Sequence, residues 1–190
     1  VSDNLLTVTA LASRTPLLVA PAMDGGMYAN PATQANLKRL EERGITILGP
    51  AEGHLASGLS GKGRMVEPEE LFGHLRLALG KDGPLAKRKV VVTAGGTREP
   101  LDPVRFLGNR STGKQGFALG QAALDLGANV TLIAAPTPLS TPVGAQRVNV
   151  STAAEMQKAV LDSIVDADVL IMTAAVADFR PANPSEEKIK

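Results

Sequence analysis

The sequence predicts an α/β protein made of two three-layer units, each a parallel sheet with helices on both faces. Short runs of consecutive apolar residues alternate with segments of helical periodicity, which is typical of parallel strands buried on both faces. A glycine- and charge-rich stretch, residues 80–84, separates two such series. Because the chain begins at Val1 rather than Met and ends in the charged run 186–190, we expect a piece of a longer protein and two incomplete units.

The first unit begins with the apolar run 17–20, which predicts a strand. Asn30 and Pro31 then predict the start of a helix, as N-cap and first helical residue, and Gly44 predicts its end. Residues 45–48 predict a second strand.

A second helix is predicted for residues 68–79 of the first unit. Leu71, Leu75 and Leu79 recur at every fourth position, so we expect them to form its apolar face. Residues 80–84 (Gly-Lys-Asp-Gly-Pro) then predict a linker.

The second unit repeats the alternation of strands and helices. Thr152 and Glu155 have the spacing of a capping box, and Met156, Val160 and Ile164 then face inward. The predicted strands are 90–92, 130–134 and 169–172, and the predicted helices are 116–126 and the segment that begins at the capping box.

Composition excludes several classes of function. The chain has no cysteine, which excludes disulfide scaffolds, thiolate metal sites and cysteine nucleophiles. A net charge of +1 and 3% aromatic residues argue against a nucleic-acid partner. No apolar run reaches the ~18 residues of a membrane span, so we expect no membrane partner and a cytoplasmic location.

Four loops follow predicted strands, at the edge where open α/β sheets bind ligands. The first is Pro21-Ala22-Met23-Asp24-Gly25-Gly26-Met27, which fits a simple two-glycine turn equally well. The second, residues 56–65, has three glycines in six residues, so it predicts a mobile loop, either an active-site flap or plain surface.

The third loop, residues 93–114, predicts an anion site. Its end, Gly108-Asn109-Arg110-Ser111-Thr112-Gly113-Lys114, lies at a helix start, where backbone N–H groups and the helix dipole favour phosphate. It is not a P-loop, since Gln115 replaces the magnesium-binding Ser or Thr and the preceding strand ends too early. The pattern G-x-G-x-x-G of dinucleotide sites is absent. The alternative is a loop of solvated charges.

The fourth loop, residues 173–180, follows the last predicted strand. Its small residues allow close approach of a ligand to the backbone. Asp178 is a candidate for a metal or a ribose hydroxyl, and the alternative is an ordinary helix cap.

In this order the four loops resemble motifs of the bifunctional phosphopantothenoylcysteine decarboxylase/phosphopantothenate–cysteine ligase family of coenzyme A synthesis. Residues 21–27 resemble the decarboxylase's substrate clamp, and residues 56–65 resemble its flap. Residues 93–103, 109–116 and 174–190 resemble successive ligase motifs. The resemblance covers the whole chain.

The resemblance implies the architecture of each unit. Residues 1–80 would be the C-terminal part of an FMN-dependent decarboxylase domain with a flavodoxin-like sheet. Residues 81–87 would be a linker, and residues 88–190 the N-terminal part of a Rossmann-like, CTP-dependent ligase domain. FMN and Mg²⁺ would be cofactors, CTP, 4′-phosphopantothenate and cysteine substrates, and the assembly a homo-oligomer.

On the decarboxylase side, the resemblance assigns substrate binding to Pro21, Ala22, Met23, Asp24 and Met27. Two positions depart from the family pattern. Asp24 replaces an asparagine, and an ionised carboxylate would repel a substrate carboxylate. Ser57 replaces the flap's cysteine acid, and an alcohol is a far weaker acid than a thiol. Either another group or water supplies the proton, or this half is slow or inactive.

On the ligase side, the resemblance implies that CTP activates the carboxylate of 4′-phosphopantothenate as an acyl-cytidylate, with release of pyrophosphate. The amine of cysteine then displaces CMP. This chemistry needs cations, N–H donors and accurate placement rather than a protein nucleophile.

The same resemblance distributes the ligase roles along the third and fourth loops. Asn109 would orient the acyl intermediate, and Lys188 would bind the triphosphate and help to expel pyrophosphate. Arg98 and Arg105 are either helpers or structural ion pairs. The phosphate cradle would be Gly95, Gly96, Ser111, Thr112 and Lys114, and the cytidine or its magnesium would be held by Met172, Thr173, Ala174 and Asp178.

Two other functions remain open at this stage. A non-catalytic flavin- or nucleotide-binding module is favoured, in the first unit only, by Asp24 and Ser57. A dehydrogenase with an unusual glycine loop would bind NAD and have no use for Asn109.

Overall fold

A computed structural model describes residues 3–189. The chain divides into two compact units, Val1–Leu75 and Arg76–Lys190. The first unit contains one parallel strand pair and the second contains three, each together with helices, so the predicted α/β class is confirmed. No helix within residues 3–189 is long and apolar enough to cross a membrane.

The first unit combines one parallel strand pair with one antiparallel hairpin. Strand β1 pairs with β2 in parallel, and β3 pairs with β4 antiparallel. The elements are α1 (Leu5–Ala12), β1 (Leu18–Val19), α2 (Gly25–Ala29), α3 (Pro31–Glu42), β2 (Thr46–Ile47), β3 (Ala51–His54), β4 (Ser60–Arg64) and α4 (Pro68–Gly80), the last of which runs into the second unit.

The predicted start and end of α3 are confirmed. The Asn30 side chain accepts a hydrogen bond from the Ala32 N–H at 2.9 Å, and Pro31 occupies the first turn. After the helix, Gly44 has φ of +79°, which a side chain would disfavour.

The expectation of a mobile loop over residues 56–65 was wrong for its second half. Residues 60–64 form β4, and the chain turns tightly before it, with the Leu55 N–H bonded to the Leu59 carbonyl at 2.8 Å. The sequence pattern did not predict this strand, because glycine is depleted in strands. Backbone pairing with β3 forms it nonetheless.

The second unit contains a four-stranded parallel sheet in the order β10-β5-β8-β9 and a separate antiparallel hairpin, β6–β7. The sequence did not predict β6, β7 or β9. The elements are β5 (Lys89–Ala94), β6 (Arg98–Pro100), β7 (Phe106–Gly108), α5 (Lys114–Asp125), β8 (Asn129–Ala134), β9 (Gln146–Asn149), α6 (Ala153–Ser163) and β10 (Val169–Met172).

Alternate residues of the four-stranded parallel sheet pack against helices on opposite faces. Val90 and Val92 share one core with Phe117 of α5, whereas Val91 shares the other with Met156 of α6. This confirms the predicted three layers for the second unit. Among the described residues of the first unit, the parallel pairing is limited to β1 and β2, and β3 and β4 form an antiparallel hairpin. Strand β10 is the edge strand among the described residues, and its Val169, Leu170 and Met172 are 38–67% exposed.

The predicted capping box at the start of α6 is confirmed. The Glu155 N–H donates to Thr152 Oγ1 at 3.2 Å, and the Thr152 N–H donates back to Glu155 Oε2 at 3.3 Å. Met156, Val160 and Ile164 pack inward as expected.

The face predicted for α4 was wrong, although the helix itself is confirmed. Leu75 and Leu79 are exposed, whereas Leu77 packs against the core of the second unit. After α4, the Leu85 N–H donates to the Leu126 carbonyl at 2.8 Å. A β-carbon on Gly83 would lie 2.5 Å from that carbonyl oxygen.

Replacing each of two glycines of α5 by alanine should have opposite effects on the stability of the protein. A β-carbon on Gly116 would lie 2.5 Å from Ala94 Cβ and 2.7 Å from Thr173 Oγ1, whereas one on Gly120 would make ordinary contacts at 3.7 Å or more. We expect Gly116→Ala to lower the free energy of unfolding by about 1–3 kcal/mol through overpacking. The control Gly120→Ala should raise it by roughly 0.5–1 kcal/mol. Denaturant titration measures both, and equal effects would contradict the packing.

Candidate functional site

The third and fourth loops meet at the carboxyl edge of the four-stranded parallel sheet. They follow β5 and β10, which are parallel neighbours. The Ala175 N–H donates to the Gly95 carbonyl at 2.8 Å, and the Thr97 N–H donates to the Ala175 carbonyl at 3.2 Å. The loops thus continue the pairing of the strands beyond the sheet.

Two buried threonines hold the fourth loop through hydrogen bonds to its backbone. Thr93 Oγ1 accepts the N–H groups of Thr173 and Ala174 at 3.1 and 3.2 Å. Thr97 Oγ1 accepts the N–H of Ala177 at 2.8 Å. Neither residue was assigned a role from the sequence. For Thr93 the available signal was a hydroxyl near the end of an otherwise apolar strand.

Asn109 lies against the fourth loop. Its side-chain Nδ2 donates to the Val176 carbonyl at 3.1 Å, across 67 positions of sequence. Gly96 lies beneath this contact, since a β-carbon there would lie 2.7 Å from the Asn109 carbonyl oxygen, and Gly95 has φ of +86°. Gly96 therefore permits the beginning of the third loop to approach the backbone of Asn109.

The start of α5 forms a small polar cavity beside this contact. Gly113, the N-cap, has φ of +76° and gives no side-chain cap, so the cap offers no acceptor to the first N–H groups of the helix. Ser111, Thr112, Lys114 and Thr173 line a cavity of about 280 Å³ with their neighbours. Three of the residues predicted to cradle phosphate, Ser111, Thr112 and Lys114, are thus grouped at a helix N-terminus, which attracts anions, whereas Gly95 and Gly96 do not line this cavity.

Asp178 lies at the other side of the fourth loop. It is exposed and lines a cavity of about 420 Å³ with Glu99, Gln157 and Arg180. Within residues 3–189, no three His, Cys, Asp or Glu side chains group as a metal site. A cation at Asp178 would therefore need oxygen ligands from a bound phosphate, which is the common arrangement for Mg²⁺.

Lys188 belongs to residues 185–189, which we call the Lys188 segment. This segment contacts the turn between β6 and β7. The Ser185 N–H donates to the Leu101 carbonyl at 2.9 Å, and the Ile189 N–H donates to Asp102 Oδ2 at 3.1 Å. Lys188 itself is exposed.

Arg105 forms the structural ion pair that sequence analysis left as one alternative. Its Nε donates to Asp102 Oδ2 at 2.9 Å, and the Asp102 side chain is fully buried. Burial alone would raise the pKa of Asp102, but the N–H groups of Val104, Arg105 and Ile189 and the guanidinium outweigh it and hold the pKa far below its usual range. Arg98 lies elsewhere, with its guanidinium carbon 4.6 Å from the centre of the Phe106 ring.

In the first unit, the loop after β1 and the β3–β4 hairpin are hydrogen-bonded to each other. The Met23 N–H donates to the Gly63 carbonyl at 2.9 Å, and Ser57 Oγ donates to Asp24 Oδ2 at 2.6 Å. Gly63 is required here because its β-carbon would collide with the Met23 carbonyl oxygen. The two motifs compared above with a clamp and a flap are therefore in direct contact.

Both oxygens of Asp24 are engaged. Oδ2 accepts the Ser57 hydroxyl, and Oδ1 accepts the Gly26 N–H at 2.9 Å as the N-cap of α2. The Ser57 hydroxyl, and then the Gly26 N–H, lower the pKa of Asp24 below its ordinary value. Of the other predicted clamp residues, Pro21 is buried, Met23 is half-buried, and Ala22 and Met27 are exposed.

The Asp24–Ser57 contact predicts a pH effect. Because the folded pKa of Asp24 is lowered, its stabilising contribution is present above the unfolded pKa of about 3.9 and is lost as pH falls through the folded value. We expect Ser57→Ala to raise the pKa of Asp24, measured by carboxyl ¹³C NMR titration. Ser60→Ala, on the same hairpin, should leave it unchanged. An unaltered pKa in Ser57→Ala would refute the contact.

Comparison with known proteins gives the family of the chain. Residues 85–190 match the DNA/pantothenate metabolism flavoprotein C-terminal domain, and residues 1–77 match the flavoprotein family. The chain belongs to the DNA/pantothenate metabolism flavoprotein family. This confirms the resemblance drawn from the four loops, since its relatives carry the name coenzyme A biosynthesis bifunctional protein CoaBC.

Two of these relatives show how much of the chain is shared. The protein of Vibrio vulnificus is 48% identical over 99% of this chain and 47% of its own length. That of Mycobacterium tuberculosis is 50% identical over 100% of this chain and 46% of its own length. The chain thus spans about half the length of these relatives.

A solved structure supports the fold. The crystal structure of the C-terminal domain of a CoaBC protein matches with a TM-score of 0.51 and 42% identity, over 56% of each chain. This likeness agrees with the parallel sheet described above.

Proposed function

We propose that the second unit is part of a CTP-dependent phosphopantothenate–cysteine ligase and the first part of an FMN-dependent phosphopantothenoylcysteine decarboxylase. The proposed domain limits are 1–80 and 88–190, joined by 81–87, in a homo-oligomeric enzyme of coenzyme A synthesis. The hydrogen bond from Asn109 to the Val176 carbonyl carries the ligase half of this proposal. It joins two loops that are distant in sequence at the edge where α/β sheets bind ligands.

The first ligase step transfers CMP to 4′-phosphopantothenate. A carboxylate oxygen of the substrate attacks the α-phosphorus of CTP, and the bond to the β-phosphate oxygen breaks to release pyrophosphate. The N–H groups at the start of α5, with Ser111, Thr112 and Lys114, hold the phosphates. Gly95 and Gly96 allow the backbone to approach them.

The second ligase step forms the amide. The amine of cysteine attacks the activated carbonyl carbon, and CMP leaves with the electron pair of the carbon–oxygen bond. One N–H of Asn109 already holds the Val176 carbonyl, which leaves its side-chain oxygen and second N–H to orient the reacting groups. The backbone of Met172, Thr173 and Ala174, fixed by Thr93, holds the cytidine.

Magnesium fits the ligase site as a partner of the nucleotide. The exposed Asp178 carboxylate would supply one oxygen ligand to Mg²⁺, and the phosphates and water would supply the others. Lys188 adds a positive charge to the triphosphate from its own segment.

In the first unit, FMN would supply the redox chemistry, and residues 21–27 would bind the substrate. The Ser57 hydroxyl donates a hydrogen bond to Asp24, so it is already engaged. We infer that the proton needed after loss of CO₂ comes from another group or from water. The same contact is the one observation that favours the second candidate, a flavin-binding first unit without turnover.

Pyrophosphate release tests the ligase proposal in the full-length protein. Release should require Mg²⁺, CTP and 4′-phosphopantothenate together, and ATP should replace CTP poorly. Pyrophosphate release that does not depend on 4′-phosphopantothenate would contradict the proposal. Binding of NAD in place of CTP would favour the dehydrogenase alternative.

A further inference from the structure

The two oxygens of the buried Asp102 carboxylate serve different partners. Oδ1 accepts the N–H groups of Val104 and Arg105 at 2.8 and 2.7 Å, which closes the turn between β6 and β7. Oδ2 accepts Arg105 Nε and the N–H of Ile189. The first oxygen is sufficient to build the turn, so the second is available for the Lys188 segment.

The Lys188 segment is attached to this turn at both of its ends. Ser185 bonds the Leu101 carbonyl at one end, and Ile189 bonds Asp102 at the other. The Arg105 guanidinium also donates to the Ile189 carbonyl, so both backbone groups of Ile189 are held. Lys188 is the neighbour of Ile189, and its exposed side chain therefore projects from a fixed backbone.

A buried carboxylate is costly unless charge and hydrogen bonds compensate it. Asp102 meets that condition with a guanidinium and three backbone N–H groups, one of which belongs to a segment 87 positions away. Losing the segment would leave Oδ2 one donor short. The burial of Asp102 and the docking of the segment therefore support each other.

We propose that Asp102 is a positioning residue for Lys188: through Oδ2 it docks the Lys188 segment and so sets the affinity of the ligase site for the triphosphate. This inference rests on the proposed function of Lys188. The docking itself is independent of that function, and the two are tested by different readouts.

Asp102→Asn separates the two oxygens of the carboxylate. Its amide keeps an oxygen for the turn but places an NH₂ group against two donors, Arg105 Nε–H and the Ile189 N–H. We expect amide hydrogen exchange of a peptide covering residues 185–189 to become at least about tenfold faster, with β5 and β8 unchanged. Asp162→Asn, an exposed position on α6, is the matched control and should change neither.

Kinetics of the full-length enzyme test the link to Lys188. Asp102→Asn should raise KM for Mg-CTP about tenfold, with a smaller change in kcat. In a Lys188→Ala background it should add less than about threefold, because the two residues act through one contact. Unchanged exchange at residues 185–189, or full multiplication of the two effects, would overturn the proposal. If Lys188→Ala alone leaves KM unchanged, the proposed role of Lys188 fails, while exchange still decides the docking.

If Asp102→Asn also speeds amide exchange in β5 and β8, a second pair of variants tests the proposal. Ile189→Pro removes the N–H that reaches Asp102, whereas Ile189→Ala keeps it. Only the proline variant should raise KM for Mg-CTP. Equal KM values for the two would overturn the proposal.

Discussion

Asn109→Ala is expected to lower the rate of ligation by about 100-fold or more, comparable to the loss of one preorganised donor in an acyl-transfer site. The variant removes the amide proposed to orient the reacting groups, together with its hydrogen bond to the Val176 carbonyl. The groups at the start of α5 that we propose to bind phosphate line a cavity without Asn109, so CTP binding should be retained. Calorimetry with Mg-CTP and a coupled assay of CMP release measure the two effects.

Asn129→Ala is a suitable control for Asn109→Ala. Asn129 begins β8, at the amino edge of the sheet opposite to the loops. It should ligate at the rate of the unmodified protein. Normal ligation by Asn109→Ala would remove Asn109 from the site.

Lys188→Ala is expected to raise KM for Mg-CTP by about 10- to 100-fold, the range for a lost bond to a charged group. The side chain is exposed on a docked segment, so its removal should not affect folding. Steady-state kinetics with CTP as the varied substrate give the change. The control is Lys158→Ala, an exposed lysine on α6, and equal KM values for the two variants would contradict the assignment.

Sequence patterns predicted the elements whose causes are local. The caps at Asn30 and Thr152 and the apolar runs of β5 and β8 depend on residues a few positions apart, and all are confirmed. The antiparallel hairpin β3–β4 was missed because Gly61 and Gly63 lack side chains that favour strands. The inward leucine of α4 was misplaced because tertiary packing, rather than helix periodicity, selects Leu77.

In the candidate site as well, local sequence patterns predicted some features, whereas contacts between distant residues were missed. Glycines, hydroxyls and Lys114 before a helix predicted an anion site, and the structure groups them in one cavity. The contacts of Thr93, Thr97 and Asp102 span about 80 positions or more, so no local pattern contains them. Likewise, the bond from Ser57 to Asp24 depends on how the hairpin lies on the first loop.

Trapping of the acyl-cytidylate is the most direct measurement of the central claim. The full-length protein would be incubated with 4′-phosphopantothenate and Mg-CTP without cysteine, and the products analysed by mass spectrometry, with ATP in parallel. The account predicts the acyl-cytidylate and pyrophosphate with CTP, and conversion of the intermediate to the cysteine amide with release of CMP once cysteine is added. Absence of both the intermediate and pyrophosphate with either nucleotide would contradict it and leave a non-catalytic nucleotide-binding module.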